Sequence, residues 1–377
     1  MDDWNDLDSL LSQVPDPKDF PEVCAGNSLK DDSTQASTSS RFVTKNDNDV
    51  KEAQQAAVPA NTRKQTNWSV NVWKEWSDHH RKLNVYDSPS HLFILAKQPW
   101  ELNRWLCRFV LEVRRKDGNG YPPNTLHQLC CGILRYMREI DPELDIFKQP
   151  SFSGFQKTLD SEMKRLRACG KGSTIKRAEP ITLDEENSLW EQKILGEHSP
   201  KALVDTMVYM CGLYFALRSE SEHRQLKDSD IEVVERPGEI AYVVYNESTS
   251  KNNSGGLKNR KIKPKHVVHY ANSSNPERCF VRLLKKYREH HPSRDDTNCS
   301  DAFYLTPIGE PKGKVWYKTV PIGVNTLRST VARLCERGGI EGCKTNHSLR
   351  VTAATRLFHK GIDEQLIMER TGHRSID

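Results

Sequence analysis

No run of this 377-residue chain is apolar enough to span a bilayer, and its opening MDDWNDLDSL is too acidic and too broken for a signal peptide. Both absences point to a soluble, intracellular protein. CxxC pairs are also missing. The ten cysteines are scattered, Cys130 and Cys131 are merely adjacent, and the step from Cys335 to Cys343 is too long for a zinc knuckle. Structural zinc is therefore not expected. Nor is there a carboxylate cluster suited to magnesium, which argues against two-metal and acidic-triad nucleic-acid chemistry. The expectation is a site without metal or other cofactor.

What is present is unevenly distributed charge. The net balance is +5, yet residues 1–52 carry 12 acidic and 5 basic side chains, leaving 51 basic against 39 acidic in the rest. An excess of that size favours a polyanionic partner, most often nucleic acid.

The length suggests two folded domains plus unstructured sequence. Residues 1–60 are rich in Asp, Ser, Thr, Asn and Gln without sustained periodicity, so they read as a disordered acidic tail. Within it, WNDLDSLLSQV reads either as a short amphipathic helix that docks on a protein partner or as a transient turn. Residues 61–168 are predicted helical. Apolar stripes run through Trp68, Val72, Trp73 and Trp76, through Leu102, Leu106, Phe109 and Val113, through Leu126, Leu129, Cys130, Ile133, Met137 and Ile140, and through Phe155, Leu159, Met163 and Leu166. Asn124 or Thr125 is the expected cap of the third helix. The outward faces carry Arg63, Lys64, Arg104, Arg108, Arg114, Arg115, Arg135 and Arg138, candidates to follow a phosphate backbone or simply solvated charges.

Residues 169–180, CGKGSTIKRAEP, have the composition of a linker, and a second domain is expected over 181–377. Its predicted order is a capping box from Thr182 to Glu185, an apolar helix over 200–217, strands at IEVV, IAYVVY and LKNRKIKPKHVV, then helices to the end. The fold class is mainly α with a small antiparallel β-sheet, α+β.

His347 and Arg350 form a His-x-x-Arg. One such spacing is expected by chance here, and a second lies at HPSR, 291–294, so context must separate them. For the first, Thr345 or Asn346 caps a helix whose start places both residues on one face. Gly361 ends that helix, Asp363 caps the next, and Gly372 ends that one, delivering His373 to a tight turn.

HSLRVTAATRLF followed by IMERTGH resembles the C-terminal signature of the tyrosine recombinases. The wording KTNHSLRVTAATRLF, NPERCFVRL, FYLTPIGEPKGKVWY and RTGHRSID is closer still to the recombinase domain of Crypton transposons and of the zinc-finger MYM-type proteins derived from them. The resemblance implies a helical, SAM-like core-binding domain followed by a catalytic-type domain clasping duplex DNA. It further implies roles for Arg218, Lys251, His347, Arg350 and His373, with Glu222 as the acidic companion of Arg218. The guanidiniums of Arg218 and Arg350 would stabilise charge on the nonbridging phosphate oxygens. His347 and His373 would donate hydrogen bonds or shuttle a proton, and Lys251 on the hairpin would protonate the departing 5′ oxygen. Lys258 and Arg260, in the same basic run, are further DNA-contact candidates. The family's nucleophilic tyrosine is expected about nine residues beyond the Gly-His, past Asp377; the last tyrosine within the chain is Tyr317. Two functions follow as expectations: DNA strand breakage and rejoining through a 3′-phosphotyrosine bond, with self-association on DNA into a synaptic tetramer, or a non-catalytic DNA or chromatin factor. Either belongs in the nucleus.

Overall fold

The structure, a computed structural model, describes residues 42–83, 87–172, 177–247, 257, 264–293, 300–311 and 313–372. The chain divides into two compact units, Met1–Cys169 and Gly170–Asp377. Among the described residues no helix is long and apolar enough to cross a membrane.

The first unit is helical: α1 Asp47–Ala56, α2 Ala60–Leu83, α3 Leu92–Leu95, α4 Pro99–Glu112, α5 Pro123–Met137 and α6 Ser153–Ala168. The tail expected to run to residue 60 therefore ends in a helix, α1. A reciprocal capping box between Asn46 and Asp49 starts it, and none of its residues is buried. Trp73 and Trp76 of α2 meet Phe109 of α4 at centroid distances of 5.0 and 5.3 Å, at the centre of a core completed by Leu102, Ile133 and Phe155. Each such ring contributes roughly 2–3 kcal/mol by leaving water. The buried face of α2 is rotated from the stripe read in the sequence. Val70, Trp73 and Trp76 point inward, while Trp68 stays 37% exposed and rests edge-on against Tyr121. Helix α5 starts earlier than expected: Pro122 is its cap residue and Pro123 its first, where a missing N–H costs nothing, so neither Asn124 nor Thr125 caps it.

The second unit is built around α8, Pro200–Tyr214, buried from Ala202 to Leu213. Around it lie α7 Leu183–Glu191, α9 Glu220–Gln225, α10 Phe280–Glu289, α11 Val324–Arg337, α12 Asn346–His359 and α13 Glu364–Thr371. The Thr182–Glu185 capping box opens α7, with hydrogen bonds of 2.8 and 3.1 Å. Strands β1 Ile231–Val234, β2 Tyr242–Asn246 and β3 His266–Tyr270 form an antiparallel sheet in the order β1-β2-β3, with Tyr245 between Ile231 and Val267. A second, two-stranded antiparallel sheet pairs β4 Leu305–Pro307 with β5 Tyr317–Pro321. The sequence reading holds no such sheet.

Helix α12 is tied down at its start, which matters for the site. Thr345, not Asn346, is its cap and shares a capping box with Ser348; Asn346 Nδ2 donates to the carbonyl of Leu327 on α11 at 2.9 Å. Thr352 Oγ1 accepts from the Ile181 N–H at 2.7 Å. Opposite, Gly212 of α8 faces Leu349, so closely that a Cβ would sit 2.5 Å from Leu349 Cδ1. Only glycine lets the two helices approach this far.

Candidate functional site

The site begins where α8 stops. Ala216 adopts φ 49°, a left-handed conformation costing a non-glycine residue roughly 1–2 kcal/mol. The Phe215 ring stacks on Tyr245 at 4.5 Å, and Phe215, Ala216 and Leu217 are all buried. Arg218 leaves this turn half-buried, and its N–H donates to Glu222 Oε2 at 2.6 Å. Glu222 thus folds back from α9 to hold the backbone of Arg218.

Helix α12 brings His347 and Arg350 to the same place. The His347 ring hydrogen-bonds the Arg218 backbone; partial burial and the guanidiniums of Arg350 and Arg218 push its pKa below the usual imidazole value. Arg350 is 3% exposed, and its Nη1 donates to the Ala216 carbonyl at 3.3 Å. Its Nε and Nη2 are buried with no hydrogen-bond partner among the described residues. Burial, reinforced by Arg218 and opposed by Glu222 and Glu247, brings its pKa down to about 10. Buried charged donors left unmade are costly, so this guanidinium is poised for an acceptor.

Sequence reasoning missed Lys265. It is 6% exposed, and its Nζ donates to the Phe215 carbonyl at 2.9 Å and lies 3.5 Å from that of Ala216. Its backbone is paired with Glu247, whose N–H donates to the Lys265 carbonyl at 2.9 Å. Burial lowers its pKa to about 8, with Glu247 and Glu222 opposing and Arg350 and Arg218 adding to the shift. The signal for it was strand alternation: Lys265 and Val267 are both buried and His266 is exposed, so the inward face of β3 extends back to the lysine. Arg370 was missed as well; from α13 its Nη2 donates to the Tyr214 carbonyl at the end of α8, at 3.2 Å.

Gly372 caps α13 with φ 67°, as expected, and a Cβ there would lie 3.6 Å from Lys265 Cε and 3.9 Å from Arg350 Nη2. The end of α13 therefore abuts the site. His373, Lys251, Lys258 and Arg260 lie outside the described residues.

Of the expected residues, Arg218, His347 and Arg350 come together with Glu222. Those of the helical unit have other engagements. Arg104 and Arg108 bind Asp87 at 2.6 and 3.1 Å, Arg135 bonds Gln65 and, at 3.0 Å, Thr66, and Arg138 pairs with Asp145 at 3.0 Å. Arg63 and Lys64 lie exposed on the first turns of α2. Tyr317 is 1% exposed, its hydroxyl donates to the Pro200 carbonyl at 3.1 Å, and burial raises its pKa. That hydroxyl is in no position to attack a ligand. The second His-x-x-Arg has its histidine, His291, partly buried beside Tyr287 and Tyr317. Among the described residues no group of His, Cys, Asp or Glu is arranged to hold a metal ion.

Residues 180–336 match a family described as a domain of unknown function (DUF3504), and residues 63–166 match the QRICH1 domain. The chain is 26% identical over 304 residues to the human uncharacterized protein KIAA1958, covering 80% of this chain and 41% of that protein. It is 28% identical to human zinc finger MYM-type protein 2, covering 71% and 21%, and 25% identical to the human transcriptional regulator QRICH1, covering 70% and 36%. The chain thus spans between 21% and 41% of the length of these relatives. Similar solved structures include the XerH site-specific recombinase bound to its difH substrate, at 16% identity and TM-score 0.42, covering 74% of this chain and 66% of that one. Another is the Tn1549 transposon integrase in complex with transposon right end DNA, at 14% identity and TM-score 0.43, covering 87% and 90%. In sequence the chain is similar to the zinc finger MYM-type, QRICH1 and KIAA1958 proteins, and the similar solved structures are those of recombinases and integrases.

Proposed function

We propose that the Gly170–Asp377 unit binds the phosphodiester backbone of duplex DNA through the Arg218, His347 and Arg350 cluster. The observation that carries this reading is Arg350: a guanidinium 3% exposed, with Nε and Nη2 unmatched among the described residues, beside a second guanidinium and an imidazole. A nonbridging phosphate oxygen accepting from Arg350 supplies the missing acceptor, and the planar fork suits a second oxygen. Arg218 adds charge, and His347 flanks the pair on its exposed side. The cluster holds three cations, Arg218, Lys265 and Arg350, against two carboxylates, Glu222 and Glu247, so one anion balances it. The basic excess outside residues 1–52 serves the same partner.

A second reading is strand breakage and rejoining through a 3′-phosphotyrosine bond. What favours it is the pairing of two guanidiniums with an imidazole, which stabilises the charge developing as a phosphodiester is attacked. A nuclear DNA-binding role in transcription is the alternative, supported by the likeness to a transcriptional regulator.

Binding is tested with a short duplex under a salt titration. Wild type binds with steep salt dependence, and Arg350→Met binds at least about tenfold more weakly. Equal affinity of the two sinks the reading. The breakage reading is tested on a nicked duplex, where an adduct that survives denaturation and disappears in Arg350→Met supports it.

A further inference from the structure

Ala216 holds an unfavourable backbone conformation, and its carbonyl and that of Phe215 are turned into the protein, so this turn keeps its shape only if both oxygens are bonded. One side chain reaches both. We propose that Lys265 is a positioning residue for the anion site: by bonding the Phe215 and Ala216 carbonyls, its ammonium fixes the turn that presents Arg218 and supports Arg350. This rests on the phosphodiester-binding reading above and assigns a role to the residue immediately before β3, one not among the lysines expected from the sequence.

Three features make the lysine suited to that task. It is locked from behind, because Glu247 and Lys265 exchange backbone-centred bonds, 2.9 Å from the Glu247 N–H to the Lys265 carbonyl and 3.4 Å from the Lys265 N–H to Glu247 Oε2. It is covered by Gly372, where a Cβ would lie 3.6 Å from Lys265 Cε, in van der Waals contact. And it shares the Ala216 oxygen with Arg350, so the two cations are set at fixed separation across one peptide. The charged groups that bear on it are Glu247 after β2, Arg350 on α12, Glu222 on α9 and Arg218 in the turn itself. His347, which responds to Arg350, Arg218 and Glu222, completes the set.

The experiment compares wild type, Lys265→Met, Lys265→Arg and Arg350→Met of the full chain, binding a short duplex at constant salt from neutral to alkaline pH. Wild type loses affinity as pH rises through about 8, where the lysine gives up its proton. Lys265→Met binds about tenfold more weakly at neutral pH and lacks that inflection. Lys265→Arg, which keeps donors but does not titrate, restores binding without the inflection, and it decides the matter where Lys265→Met does not fold by circular dichroism. Wild-type affinity with the inflection intact in both Lys265 variants overturns the inference while leaving the Arg350 result standing. Arg350→Met binding as wild type overturns the phosphodiester reading itself, and the lysine's role with it.

Discussion

Arg350 and Lys265 converge on one oxygen: the Ala216 carbonyl accepts from Arg350 Nη1 at 3.3 Å and lies 3.5 Å from Lys265 Nζ. Two buried cations on one carbonyl repel each other, and Arg350 lowers the lysine's proton affinity. The arrangement persists because Glu247 and Glu222 lie within range of both.

This relationship separates binding from stability. Arg350→Met removes a guanidinium that is buried with two donors unmatched among the described residues, so the variant should melt at or above the wild-type temperature while its duplex affinity falls. Thermal denaturation alongside a binding titration checks it. A variant melting many degrees earlier would make Arg350 a structural group.

Acid should weaken the second unit. Burial brings His223 down to about 3 and His269 and His291 to about 4, with Arg370 and Arg288 adding to the last two. In the unfolded chain each titrates near 6.5, so between there and about 4 the unfolded state binds protons that the folded state refuses. Stability is full above the unfolded value and falls with pH, by about 1.4 kcal/mol per pH unit for each histidine. His291→Phe fills the same space without a titrating ring and should flatten the urea-derived stability curve by one histidine's share. An unchanged curve would place the acid sensitivity elsewhere.

Gly212→Ala should disturb the site from behind. The new methyl meets Leu349 Cδ1 at 2.5 Å and Leu349 Cβ at 3.3 Å, one residue from Arg350, so α12 must shift. Overpacking of this kind costs about 1–3 kcal/mol. The expected outcome is a lower urea midpoint together with weaker duplex binding; reduced stability with unaltered affinity would show that the site does not depend on the α8–α12 spacing.

For the helical unit the salt slope is the discriminating quantity. Arg63 and Lys64 reach solvent from α2, whereas Arg104 and Arg108 bind Asp87 and Arg135 bonds Gln65 and Thr66. Reversing Arg63 and Lys64 to Glu should lower the slope of log affinity against log salt by about two, close to one for each phosphate no longer neutralised. Reversing Arg104 and Arg108 should leave it nearly unchanged. The opposite pattern would mean that the Asp87 pairs open on DNA.

What can be read from the sequence is whatever repeats or punctuates. The α4 and α5 stripes, the Thr182 capping box and the Gly361, Asp363 and Gly372 corner are local signals, and apart from the earlier start of α5 each element appears where its residues place it. The β4–β5 sheet is invisible because Leu305–Pro307 is three residues long and prolines end both strands, leaving no alternation to detect. The apolar run carries the expected α8 to residue 217, since nothing in an alanine's chemistry announces the positive φ at Ala216 beyond the helix's true end. Lys265 escapes because proximity to a turn is the criterion for a hairpin lysine, and its burial emerges only once β3 is paired with β2.

The hydrogen bond from Arg370 to the Tyr214 carbonyl couples two levers. Helix α13 is held to the last residue of α8, two positions ahead of the strained Ala216, and its end abuts Lys265 and Arg350 at Gly372. The end of α13 and the strained turn therefore share one anchor, and Arg370→Met, which removes it, should speed amide exchange of both together.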